Sequence, residues 1–229
     1  MEINNATIKF NMPKSLTNDS NSSKISSVIR GKLIGSNNVI NGEIRGGITG
    51  NDNMVEGRLS GDITGNNNSV NGDRMIGNIK GNDNKVNGCL LGNVMGNNNN
   101  IVTYVFDNVH GHDNRIGTYV RGIIIGNGNE VNYTSTATQE YTLGVIGDYN
   151  IVKMSVDNDV KGNYNVITGN VAGDVNGDNN KIRGDVDGNI IGNNNTIYGK
   201  VYGTVDGTNN TIHDAPPPPL SINHTLLLK

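Results

Sequence analysis

Residues Gly177–Ile191 read GDNNKIRGDVDGNII, and the next fifteen, Gly192–Asp206, read GNNNTIYGKVYGTVD. With the opening glycine as offset zero, β-branched residues fall at +5, +9 and +13: Ile182, Val186 and Ile190, then Ile197, Val201 and Val205. Glycines hold +7 and +11, so these odd offsets are small or apolar while the even ones are mostly polar. Alternation with a period of two marks a strand with one face inward and one outward. A helix would need apolar residues three and four apart, and each glycine inside it would cost about 1 kcal/mol. A strand of fifteen residues would be unusually long, so the chain must bend. The Gly-x-x-Asn segment supplies one corner, because Gly and Asn tolerate positive φ. Glycines at +7 and +11 suit further bends or close backbone approach.

The same turn returns twelve times, from Gly35 to Gly207, at intervals of 15 residues broken only by one of 16 and one of 21. A short fixed period means stacked coils. The expected fold is therefore all-β: a single-chain parallel β-solenoid of about 12 coils with about 15 residues in each, giving a rod of roughly 58 Å. Offset +3 is Asn in every repeat: Asn38, Asn53, Asn68, Asn84, Asn99, Asn114, Asn129, Asn150, Asn165, Asn180, Asn195 and Asn210. In a register stack these amides lie above one another and should hydrogen-bond along the rod.

Thirty-two glycines, no tryptophan and 34% hydrophobic residues are poor material for a globular core, yet the register of Val and Ile is too strict for a disordered chain. A formal net charge of −3 offers no basic footprint for nucleic acid. One cysteine, Cys89, rules out an internal disulfide framework. No stretch approaches about 20 apolar residues, so no membrane span is expected. The start MEINNATIKFNMPKS lacks the apolar region of a secretory signal. The expected location is a virus particle or the cytoplasm.

Departures from the repeat should carry function. Arg74 marks a one-residue insertion, read as a bulge, and the repeat after Gly126 is swollen by six residues around 131–146. Between Leu90 and Ile146 only, apolar and aromatic residues occupy nominally outward offsets: Val102, Tyr104, Phe106, Tyr119, Tyr133 and Tyr141 are the candidate interface. The domain plan is an N-terminal cap or docking segment at 1–19, the solenoid at 20–213, and a C-terminal arm at 214–229. Pro216–Pro219 force that arm to be extended, and Leu226, Leu227 and Leu228 suit docking on another chain.

The four histidines are scattered, and no nucleophile–base pair or nucleotide-binding glycine motif stands in a strand-to-helix context. Acidic turns such as Gly50–Asn53 lack the spacing of calcium-binding β-rolls. No catalytic residue, metal ligand or cofactor is therefore expected. Insect ice-binding solenoids share the fifteen-residue coil but carry a Thr-x-Thr array. Offset +8 here runs Glu43, Arg58, Asp73, Cys89, Tyr104, Tyr119.

The V-x-G-x-V-x-G-x-I pattern across Gly35–His213 resembles the β-helical segments of bacteriophage tail spikes and fibres, and the bactofilins. The first resemblance implies a rod-like virion component that binds neighbouring subunits through its tails and the 102–146 surface. The second implies a self-assembling cytoplasmic filament protein. A carbohydrate-binding or carbohydrate-degrading spike is the third alternative. The expected partners are other protein subunits, in a homo-oligomer or larger assembly, rather than nucleic acid or membrane.

Overall fold

The computed structural model describes residues 16–17, 24–25, 28–133 and 141–213. The chain winds as a parallel β-solenoid of about 12 turns spaced about 15 residues apart. Two long parallel sheets run its length. One has 13 strands, from Leu16–Thr17 through Leu33–Ile34 to Val205–Asp206, and carries offsets +13 and +14. The other has 14 strands, mostly at offsets +4 and +5, and ends at Thr211–His213. The third side is a line of single parallel bridges at +9, such as Val171 to Val186 and Val186 to Val201.

The inward column at each side is one of the expected apolar offsets. Ile167, Val171 and Val175 of one coil lie over Val152, Val156 and Val160 of the coil before, and all six are buried. Stacking like on like suits β-branched side chains, whose stiff χ1 angles repeat from coil to coil. Fully burying such a side chain contributes about 1.5–3 kcal/mol. A lone coil has no partner against which to bury them, so the stack folds as neighbours.

The one-residue insertion is absorbed outside this core. Asn71 pairs with Asn87 sixteen residues on, but Arg74 pairs with Cys89 fifteen residues on, so the extra residue sits in a bulge between Asn71 and Arg74. In the swollen repeat, Thr142 takes the inward +9 place and pairs with Val156. It is buried, and its hydroxyl donates to the Gly122 carbonyl at 2.5 Å, which satisfies a polar group among apolar ones. One coil later Met154 is buried at the +7 offset that glycine holds in the following coils.

Candidate functional site

The Gly-x-x-Asn corner is built by two unusual backbone states per coil. The opening glycine has strongly positive φ, for example 138° at Gly177 and Gly192. The residue at +2 is left-handed, from Asn37 at 57° to Asn209 at 57°. Asn and Asp fill most of these places because their short polar side chains tolerate that state. The buried Asn at +3 follows.

Its amide joins three coils. Asn150 Nδ2 donates to the Gly126 carbonyl in the preceding coil at 2.8 Å and to Asn165 Oδ1 in the next at 3.1 Å, while its backbone N–H shares that same oxygen at 2.9 Å. The ladder is continuous from Asn38 to Asn210 and crosses the swollen repeat unbroken, with Asn129 N–H donating to Asn150 Oδ1 at 3.0 Å. All but Asn210 are buried. From Asn165 onward the rungs run from the backbone N–H to the next Oδ1.

A second column at +1 runs the opposite way. Asn66 N–H donates to Asn51 Oδ1, Asn82 N–H to Asn66 Oδ1, and so on to Thr208 N–H on Asn193 Oδ1. Asp, Asn and Ser all serve as acceptors, and so does His112, whose Nδ1 accepts from Asn127 N–H at 3.0 Å. That bond places the neutral ring's proton on Nε2. Shorter columns at +12 and +8 do the same at the other corners, as in Asn93 N–H to Asn78 Oδ1 and Asp185 N–H to Asn170 Oδ1. The acidic turn residues are thus largely occupied as acceptors. At Asp62 the Asn78 backbone N–H, helped by Lys80, holds the carboxyl below its usual range; at Asp159 Lys161 does so first, then the Asp174 N–H.

This occupancy bears on metal binding. Among the described residues no group of three or more His, Cys, Asp or Glu is placed to hold an ion. We expect the melting temperature to be unchanged when EDTA is added. A fall that calcium restores would show that the acidic turns hold the ion.

The candidate interface residues divide into two kinds. Val102, Phe106 and Tyr141 are exposed, with the Arg121 guanidinium 4.8 Å from the Phe106 ring centroid. Tyr119 and Tyr133 instead lean on the core and are partly buried. Tyr104 stacks on Tyr119 with ring centroids 4.9 Å apart. The Tyr104 phenol donates to the Cys89 sulfur, and that bond with partial burial pushes the phenol up to about 12. Cys89 and Arg58 flank an open groove of about 570 Å³ floored by Gly57, Gly72 and Gly88. Leu226, Leu227 and Leu228, with the whole arm 214–229, lie outside the described residues, as does the N-terminal cap or docking segment apart from Leu16–Thr17.

The expectation that outward apolar residues are confined to Leu90–Ile146 is not met. Met54, Tyr149, Ile151, Tyr164, Ile191 and Tyr202 are exposed as well. The cause is geometric: the outward-facing offsets +4, +10 and +14 and the corner offset +2 recur on every coil, and their side chains are free to vary. Tyr149 and Tyr164 are the feature that the sequence reading missed. They occupy +2, with φ of 59° and 58°, and their rings stack 4.9 Å apart at an interplanar angle of 1°. A bulky residue in the left-handed region costs roughly 1 kcal/mol or more. The signal was in the +2 column, which reads Asn, Asp, Asn, Asp, Asn, Asp, Gly, Tyr, Tyr, Asn, Asn, Asn.

No protein-family profile, curated protein or solved structure matches this chain.

Proposed function

We propose that this chain is a non-enzymatic structural protein, a rod in a bacteriophage-type particle that binds neighbouring subunits through its tails and the 102–146 surface. The observation that carries this reading is the last coil. Val205 and Ile212 stand at core offsets +13 and +5, yet each is 42% exposed, while the matching residues Ile190 and Ile197 one coil earlier are fully buried. The strands Val205–Asp206 and Thr211–His213 are the terminal strands of the two long sheets. Among the described residues nothing covers these two strand edges, and exposed edges with apolar faces invite pairing. Continuous ladders along the rod favour a part whose task is to hold a shape and present repeated faces. The same apolar strand edges support a second reading, a filament formed by end-to-end stacking in the manner of the bactofilins.

Deleting Ala215–Lys229 tests the docking role of the C-terminal arm. The expected result is nearly unchanged β circular dichroism and melting, with assembly lost in sedimentation and negative-stain images. Assembly that survives intact would reject the role. A lower melting temperature or aggregation would show instead that the arm folds back over the final coil.

A further inference from the structure

The alternation along the +2 column has a simple electrostatic logic. Acids on successive coils would sit one coil spacing apart, so Asp52 and Asp83 are each followed by an asparagine that caps them. Asn67 Nδ2 donates to Asp52 Oδ1 at 2.6 Å, and Asn98 Nδ2 to Asp83 Oδ1 at 2.5 Å. Asp113 is the third acid of the series, but the next residue in its column is Gly128, which has no side-chain amide to give, and no side-chain amide among the described residues caps the acid. The Asp113 carboxylate rises to the level of that glycine. Its Oδ1 lies 2.4 Å from where a Cβ on Gly128 would stand.

One coil further on, the column carries Tyr149. Tyr164 covers one face of its ring, and the other face looks along the rod toward the place where Gly128 has no side chain. The two tyrosine residues are 59% and 48% exposed. Gly128 therefore leaves a slot beneath the aromatic face, with the Asp113 carboxylate at its edge, at the level of the glycine. Nearby acids add to its negative character: Asp148 adjoins Tyr149, and Glu130 stands two residues beyond Gly128. The neighbouring cation, Arg115, has its Nε on Glu130 at 3.2 Å.

We propose that this slot binds a guanidinium, that of an arginine side chain presented by a partner protein. A planar cation continues the tyrosine stack by lying face-on to Tyr149, and its N–H edge donates to the Asp113 carboxylate. A compact ammonium would satisfy the charge without filling the plane. That the arginine belongs to a neighbouring subunit rests on the assembly reading above, but the slot is a property of the rod alone and can be tested without any assembly.

The test is a titration of the full-length protein, carrying isotope-labelled tyrosine, with methylguanidinium chloride, followed by NMR. Sodium chloride and tetramethylammonium chloride at equal ionic strength are the controls. The Tyr149 ring signals should shift saturably with methylguanidinium alone. Asp113→Asn should weaken that binding about tenfold, the loss of one charge-assisted contact. Gly128→Asn should abolish it while leaving the melting temperature intact. The φ of 67° at Gly128 suits asparagine, and the group that must move is the end of the Asp113 side chain. Shifts equal to those in sodium chloride, or binding that persists in Gly128→Asn, would overturn the site. Equal binding of tetramethylammonium would overturn the assignment to a guanidinium.

Discussion

Gly177→Ala is expected to disrupt the coil it opens, at a cost of roughly 4 kcal/mol from combined backbone strain and overlap. Two independent features produce this. Its φ of 138° lies where residues with a Cβ are rarely found, and the added Cβ would stand 2.1 Å from the Gly162 carbonyl oxygen of the preceding coil. That oxygen accepts the Asn180 side-chain amide at 2.8 Å, so moving it away breaks a rung of the buried ladder. The comparison is Gly144→Ala, where the nearest atom to the new Cβ is the Asp159 carbonyl oxygen at 3.4 Å and the backbone needs no positive φ. Thermal melting of the two variants checks the claim. The first should melt on the order of 15 °C lower, or fail to fold around the affected coil, and the second should stay close to the parent. Similar melting of both would remove the steric argument for the glycine column.

Asn165→Ala and Asn180→Ala should each destabilise the rod far more than Lys181→Ala. Asn180 Oδ1 accepts the buried Asn165 N–H at 2.9 Å, and its Nδ2 donates to the Gly162 carbonyl, so truncation strands one donor and one acceptor. Leaving a buried polar group without its partner costs about 1–3 kcal/mol, so roughly 3 kcal/mol in all is expected, or on the order of 10 °C in melting temperature. Lys181 lies beside this column on the outward side, where its ammonium stands 5.4 Å from the Tyr198 ring centroid. An exposed contact of that kind contributes about 0.5–1 kcal/mol. Because each coil touches only its neighbours, hydrogen exchange should rise first around the substituted coil and its two neighbours. Equal and negligible melting shifts for all three variants would sink the ladder.

The central features of the fold were legible because a coil of fifteen residues leaves little freedom. Val186 and Ile190 stand at inward offsets set by the strand period, and Asn180 sits next to a turn that glycine forces. The ladder of +3 asparagines followed from their recurrence, since the same amide in twelve stacked coils lies above its own copy. The direction of its bonds was not legible. Nor was the opposite polarity of the +1 column, because hydrogen bonds between coils link atoms about fifteen residues apart whose orientation depends on the corner backbone.

The outer surface was read less well, for a related reason. An outward offset marks a side chain as facing away from the core but does not say what its neighbours leave open. Tyr119 and Phe106 both came from outward positions, yet the first rests on the core and the second is exposed beside Arg121. Tyr149 lies in a turn and so escapes the strand period; only the +2 column, compared coil by coil, sets it beside Tyr164. Its stacking on Tyr164 becomes visible only when successive coils are placed one above the other.

By itself, the sequence determined the coil length, the parallel stacking, the three inward apolar columns and the asparagine column, because steric and hydrophobic periodicity are local and repeat. Tertiary structure alone decided which acceptors cap which amides, that Thr142 replaces an aliphatic residue in the core, and that Gly128 leaves Asp113 uncapped beside an aromatic face. Those outcomes depend on side chains one coil apart in space and fifteen or more residues apart in sequence, where distance and direction, rather than residue type, settle what each group touches.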